Sequence, residues 1–134
     1  MTPESATGAG AILVSKDQLF ERADILTIHL ALSSRTRGLV GAAEMARMKP
    51  TAWLINASRG PIVEEQALIS VLKNKQIAGA AIDVFDAEPL PASHPFRTLD
   101  NILATPHIGY VSLGLYKTFY ENTVSNIRRW LDTH

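Results

Sequence analysis

Cysteine is absent from the 134 residues, so neither a disulfide nor a thiolate-bound metal can hold this fold or do its chemistry. An excess of charge of one sign is missing too. Thirteen basic residues balance thirteen acidic ones, and no basic block interrupts the pattern. That balance argues against nucleic acid or an anionic membrane surface as a partner. No apolar run approaches the roughly 20 residues that cross a bilayer, and the first residues lack a signal-peptide pattern. The histidines His29, His94, His107 and His134 show no metal-ligand spacing. What is present is 46% hydrophobic and 19% charged sequence, long enough for a core of its own. We expect a soluble, cytoplasmic single domain.

Short β-branched runs alternate with helical patterns. "AILVS" (11–15) predicts a strand, and "KDQLFERA" (16–23) a short helix with Leu19, Phe20 and Ala23 turned inward. "DILTIHLAL" (24–32) is nearly all apolar, as in a strand covered on both faces. "AAEMARM" (42–48) predicts a helix stopped by Lys49-Pro50, and "AWLINAS" (52–58) the next buried strand. In "EEQALISVLKNKQ" (64–76), Ala67, Leu68, Val71 and Leu72 share a helical face. Acids at its start and lysines at its end suit the helix dipole. "IAGAAIDVF" (77–85) predicts a further strand, and "NILATPHIG" (101–109) contains a last short one. Ser112 to Asp132 form a long helix rich in Leu, Tyr, Phe and Trp. The alternation predicts a parallel, doubly wound α/β sheet in one unit spanning 1–134.

In such sheets ligands bind beyond the carboxyl ends of the strands, so the residues there are the candidates. Strand 24–32 brings Leu30 and Ala31, and strand 52–58 brings Ser58 and Arg59. Strand 77–85 brings Asp83 with Glu88 beyond it, and the last strand brings His107. Singly, most have a plain structural reading. Arg59 reads as a solvated strand-end charge, His107 as a turn residue, and Glu88 as the residue that Pro89 pushes out of helix. His29 reads as a hydrogen-bonded core histidine, while His94 and His134 receive no role. Asp83 is harder to dismiss, because a carboxylate inside "AAIDVF" is costly unless it is paired or at the open end. Together the rim residues make chemical sense. A histidine held by a carboxylate can pass a proton near neutral pH, and an arginine fork matches a carboxylate. The set suits a small acid with a reacting oxygen beside its carboxylate.

"INASRGPIVEEQAL" (55–68), "GAAIDVFDAEPLP" (79–91) and "ATPHIGY" (104–110) closely resemble three signature segments of the D-isomer-specific 2-hydroxyacid dehydrogenases, in their NAD-binding domain. "LFERADILTIHLALSSRTRGLVG" (19–41) resembles the strand and loop that precede them. The resemblance implies a partial Rossmann-like fold and hydride transfer between NAD or NADP and a small 2-keto or 2-hydroxy acid. It implies that Arg59 binds the substrate carboxylate and polarises the carbonyl oxygen. His107 is then the general acid in reduction and the base in the reverse direction, with Glu88 holding and tuning it. Asp83 would hydrogen-bond the nicotinamide carboxamide, while Leu30, Ala57, Ser58, Arg59, His107 and Gly109 line the cofactor.

Two departures accompany the resemblance. Ala31 stands where the family usually carries proline. "GAG" (8–10) precedes a predicted strand, and Leu13 takes the third glycine position, so the segment is not the G-x-G-x-x-G fingerprint. The resemblance thus implies a partial NAD-binding domain that begins beyond the pyrophosphate loop. The alternative is a folded domain without catalysis that acts by association. Leu115, Phe119, Ile127 and Trp130 recur at helical spacing near the end of the chain and predict a homo-oligomer.

Overall fold

The structure, a computed structural model, describes residues 2–134. Two helices, α1 (Pro3–Gly8) and α2 (Lys16–Arg22), precede the first strand, β1 (Ile25–Ile28). Then come α3 (Ala42–Met45), β2 (Trp53–Asn56), α4 (Glu65–Lys73), β3 (Gly79–Ile82), β4 (Ile102–Ala104) and a final helix, α5 (Leu113–Thr133). The four strands are parallel and lie side by side in chain order. Parallel neighbours need a crossover, and α3 and α4 supply the first two. The third, from β3 to β4, carries only a 3-10 turn at Pro95–Arg97.

Register explains which residues make the core. Leu26, Leu54, Ala80 and Ile102 form one row across the sheet, and Ile28, Asn56, Ile82 and Ala104 another. Most of these side chains are buried together with Phe20 of α2, Met45 of α3, and Leu68, Ile69, Val71 and Leu72 of α4. Ser15 caps α2 by accepting from the Gln18 N–H, while the Gln18 side chain accepts from the Ser15 N–H. That reciprocal pair starts the helix in the orientation that sends Phe20 inward.

Several expectations are corrected here. Residues 11–15 form no strand: Ile12 is exposed, and no neighbouring strand takes up their backbone groups. Apolar, β-branched sequence favours extended chain, but a strand needs a partner. Within α2, Leu19 is exposed, and of the three expected inward residues only Phe20 is fully buried. The helix expected over 42–48 stops at Met45. The apolar run 24–32 pairs only over Ile25–Ile28, and the sheet is covered on one face alone. Ile25, Trp53 and Leu103, all on the opposite face, are exposed. His29 is an exposed residue bonded to the Thr27 hydroxyl at 3.0 Å rather than a core histidine. The long helix is present as α5, yet none of its residues is buried. Among the described residues, no helix is long and apolar enough to cross a membrane.

Candidate active site

The site begins where β2 ends, at the buried Asn56. Its side-chain oxygen accepts from the Ser58 N–H at 3.1 Å and the Ser58 hydroxyl at 3.0 Å, and its amide donates to the Arg59 carbonyl at 3.0 Å. One amide thereby satisfies itself and bends the chain out of the sheet. Sequence reasoning gave Asn56 no role, although a polar amide closing an apolar strand was the available signal. The exposed Arg59 side chain then reaches outward, with Nη1 donating to the Ser58 carbonyl. Gly60 behind it is buried for a steric reason. A Cβ there would lie 2.2 Å from both the carbonyl carbon and the oxygen of Phe85. Glycine lets the backbone past Arg59 lie directly against the segment that leads to Glu88.

Asp83, just past β3, is buried and accepts three hydrogen bonds. Its Oδ1 accepts from the Thr105 hydroxyl at 2.6 Å and the Ile108 N–H at 2.9 Å, and its Oδ2 accepts from the Gly109 N–H at 2.8 Å. Burial pushes this carboxyl up, but the three donors and the nearby His107 charge prevail and hold it below the ordinary range. The donors flank His107, whose φ of 55° lies in the left-handed region. A non-glycine residue there costs about 1 kcal/mol. Asp83 ties down the chain on both sides of that strained residue.

Glu88 completes the group. Its Oε2 lies 2.7 Å from His107 Nδ1, and its Oε1 accepts from the Phe85 N–H at 2.9 Å. The His107 bond, then the Phe85 N–H, and then the charges of His107 and Arg59 hold the Glu88 carboxyl below its ordinary value. With Nδ1 engaged, Nε2 is the ring nitrogen left for proton transfer. Tyr110, which sequence reasoning missed, sets its ring edge-on to His107 at 6.3 Å.

The remaining candidates form a shelf. Ala57 and Gly109 are exposed, Ser58 is half-buried between them and the core, and a Cβ on Gly109 would lie 3.9 Å from that of Ala57. Leu30 is exposed beyond β1, farther along the same rim. This shelf of small residues beside a carboxylate fits the flat, amide-bearing end of a nicotinamide cofactor. The segment Gly8–Gly10 does not fit a pyrophosphate. It closes α1, and the N–H groups of Ala9 and Gly10 donate to the helix's own carbonyls, Ala6 and Thr7. A phosphate needs a helix N-terminus with free donors, and this is a C-terminus.

The chain is similar to known proteins in both sequence and fold. Residues 2–109 match the NAD binding domain of the D-isomer specific 2-hydroxyacid dehydrogenases. The glyoxylate reductase of Thermofilum pendens is 41% identical over 111 residues, which is 83% of this chain and 33% of that protein. A phosphoglycerate oxidoreductase from Vibrio cholerae superposes with a TM-score of 0.88 at 34% identity, over 98% of this chain and 42% of its own. A D-isomer specific 2-hydroxyacid dehydrogenase from Xanthobacter autotrophicus, solved with NADPH and MES, superposes with a TM-score of 0.70 at 37% identity, over 88% of this chain and 48% of its own. The chain thus spans a third of the first relative's length and under half of each solved one. Since the match runs through most of the sequence and the fold superposes over nearly all of it, the chain belongs to the D-isomer specific 2-hydroxyacid dehydrogenase family, in the NAD-binding domain.

Proposed function

We propose that the chain carries the catalytic rim of an NAD(P)-dependent dehydrogenase acting on a small 2-keto or 2-hydroxy acid. The observation that carries this reading is the 2.7 Å contact between His107 Nδ1 and Glu88 Oε2, on the strand ends that also present Arg59. In keto acid reduction, the Arg59 fork holds the substrate carboxylate and directs an N–H toward the carbonyl oxygen. His107 gives that oxygen a proton from Nε2, and Glu88 keeps the ring oriented and balances its charge. In the reverse direction, Nε2 takes the hydroxyl proton. NAD(P)H, when bound, supplies the hydride. Ala57, Ser58, Leu30 and Gly109 line its nicotinamide side, and Asp83 Oδ2, with one internal bond, has capacity left for a carboxamide N–H. The name of the Thermofilum pendens relative supports a small 2-keto acid, and the NADPH complex of the Xanthobacter protein supports the cofactor class.

Titrating NADH and NADPH into the 15N-labelled chain tests the reading. The expected result is weak, roughly millimolar binding, with amide shifts confined to 57–59, 83 and 107–109. Turnover of glyoxylate by residues 1–134 alone should be negligible, because Gly8–Gly10 offers the phosphates nothing. Shifts scattered over α2, α3 and α4, or none at saturating cofactor, would overturn it.

We also infer self-association. Phe119, Tyr120, Val124, Ile127, Trp130 and Leu131 leave α5 with an exposed apolar band, and Trp53 and Leu103 leave the open sheet face uncovered. Sedimentation equilibrium at micromolar concentrations should show a reversible dimer. A monomer throughout would sink this inference.

A further inference from the structure

We propose that His94 and Glu65 form a positioning clasp that sets Glu88 against His107. The proposal rests on the dehydrogenase reading for its catalytic meaning, but not for its geometry. Glu88 sits in the only crossover among the described strands that lacks an α-helix, between Ile82 and Ile102. Helical hydrogen bonds therefore do not hold this segment, and other contacts must.

His94 supplies them. Its Nδ1 accepts from the Phe96 N–H at 3.2 Å, which requires an unprotonated nitrogen there. The ring proton then sits on Nε2, which donates to Glu65 Oε1 of α4 at 3.1 Å. Both side chains are largely buried, at 12% and 19% exposure, so the pair is shielded from water. The clasp thus ties the crossover to the first residue of α4 and starts the turn at Pro95–Arg97. The His94 and Phe96 rings lie 4.7 Å apart, and Phe96 packs against Phe85 at 6.3 Å. Phe85 in turn donates its N–H to Glu88 Oε1. Arg97 stitches the segment from the other side, donating to the carbonyls of Pro91 and Leu90 at 2.9 and 2.8 Å. Contacts therefore run without a gap from Glu65 through His94, Phe96 and Phe85 to Glu88 and His107. Asp86 and Arg37 also carry charge near Glu65, while Arg59 acts on Glu88 itself. Burial, and then the Glu65 charge, push the Asp86 carboxyl up, while Arg37 opposes them.

The direct readout is the titration of the Glu88 side-chain carboxyl, followed by 13C NMR on the 134-residue chain. In the unaltered protein its midpoint falls below the ordinary 4.5, because the bonds from His107 and Phe85 favour the ionised form. Glu65→Met or His94→Ala should raise that midpoint toward 4.5, as Glu88 drifts from both donors. His94→Gln, which still reaches the Glu65 carboxylate, should restore much of the shift. The double variant should move it no further than one single change, since both act through one device. A purely structural role would lower the melting temperature and leave the Glu88 midpoint of the folded variant where it was. That outcome overturns the proposal. If His94→Ala unfolds, Glu65→Met, which keeps the side-chain length but offers His94 no acceptor, decides alone. None of these measurements uses cofactor or substrate, so failure of the clasp and failure of the dehydrogenase reading are separately visible.

Discussion

Replacing Asp83 by alanine is expected to release residues 105–109 and destabilise the chain by about 3 kcal/mol. The carboxylate accepts from Thr105, Ile108 and Gly109, and hydrogen bonds to a charged acceptor contribute about 1.5–3 kcal/mol each. They do not add in full, because the alanine variant also escapes the cost of burying the charge. The loss concentrates on His107. Its left-handed backbone at φ 55° persists only because both flanks are held, so it should relax once Asp83 is gone. Asp83→Asn should cost less, about 1–2 kcal/mol. It keeps one acceptor oxygen but turns a donor toward a backbone N–H. The pH dependence has a definite sign. Asp83 is depressed in the fold, so its contribution is fully present above the ordinary 3.8 and is lost as pH falls through the lower folded value. Urea denaturation at neutral pH and again in acid should show the gap between the native chain and Asp83→Ala shrinking in acid. A variant that is equally stable at neutral pH, with unchanged amide shifts at 107–109, would refute this account of Asp83.

Gly60→Ala is expected to be similarly damaging for a different reason. The added Cβ would meet the Phe85 carbonyl carbon and oxygen at 2.2 Å and the Asp86 nitrogen at 2.8 Å. These are backbone atoms, so no side-chain rotation relieves the clash. Either the turn at Gly60–Ile62 or the chain at 85–86 must move, and Arg59 or Glu88 moves with it. Overpacking of this kind costs about 3 kcal/mol at the upper end of its usual range, which corresponds to a fall of roughly 10 °C in Tm. Gly114→Ala provides the control, since a Cβ at that position of α5 meets nothing. It should be neutral or stabilising by up to about 1 kcal/mol. Calorimetry on both variants checks the pair. Equal losses would mean that the Phe85 contact is not the cause.

From α2 onward, local sequence determined the order of strands and helices, because side-chain periodicity and capping act within a few residues of one another. Ser15 and Gln18 start α2 from positions legible in the sequence, and the apolar face of α4 was readable as Leu68, Val71 and Leu72. The strand-end rule pointed to Arg59, Asp83, Glu88 and His107 as well, because parallel topology puts successive carboxyl ends on one edge. The length of each strand was not legible. Hydrophobic runs mark what is able to pair, while pairing ends where the neighbouring strand ends, as at Ile28 beside Asn56. For the same reason, 11–15 looked like a strand and is not one. Only the tertiary structure decided that helices cover one face of the sheet and that Asp83 grips the turn carrying His107. It alone showed why residue 60 has to be glycine and that His94 reaches Glu65. Each of these depends on groups brought together from more than 20 residues apart in the chain, a distance over which periodicity carries no information and packing alone selects the partner.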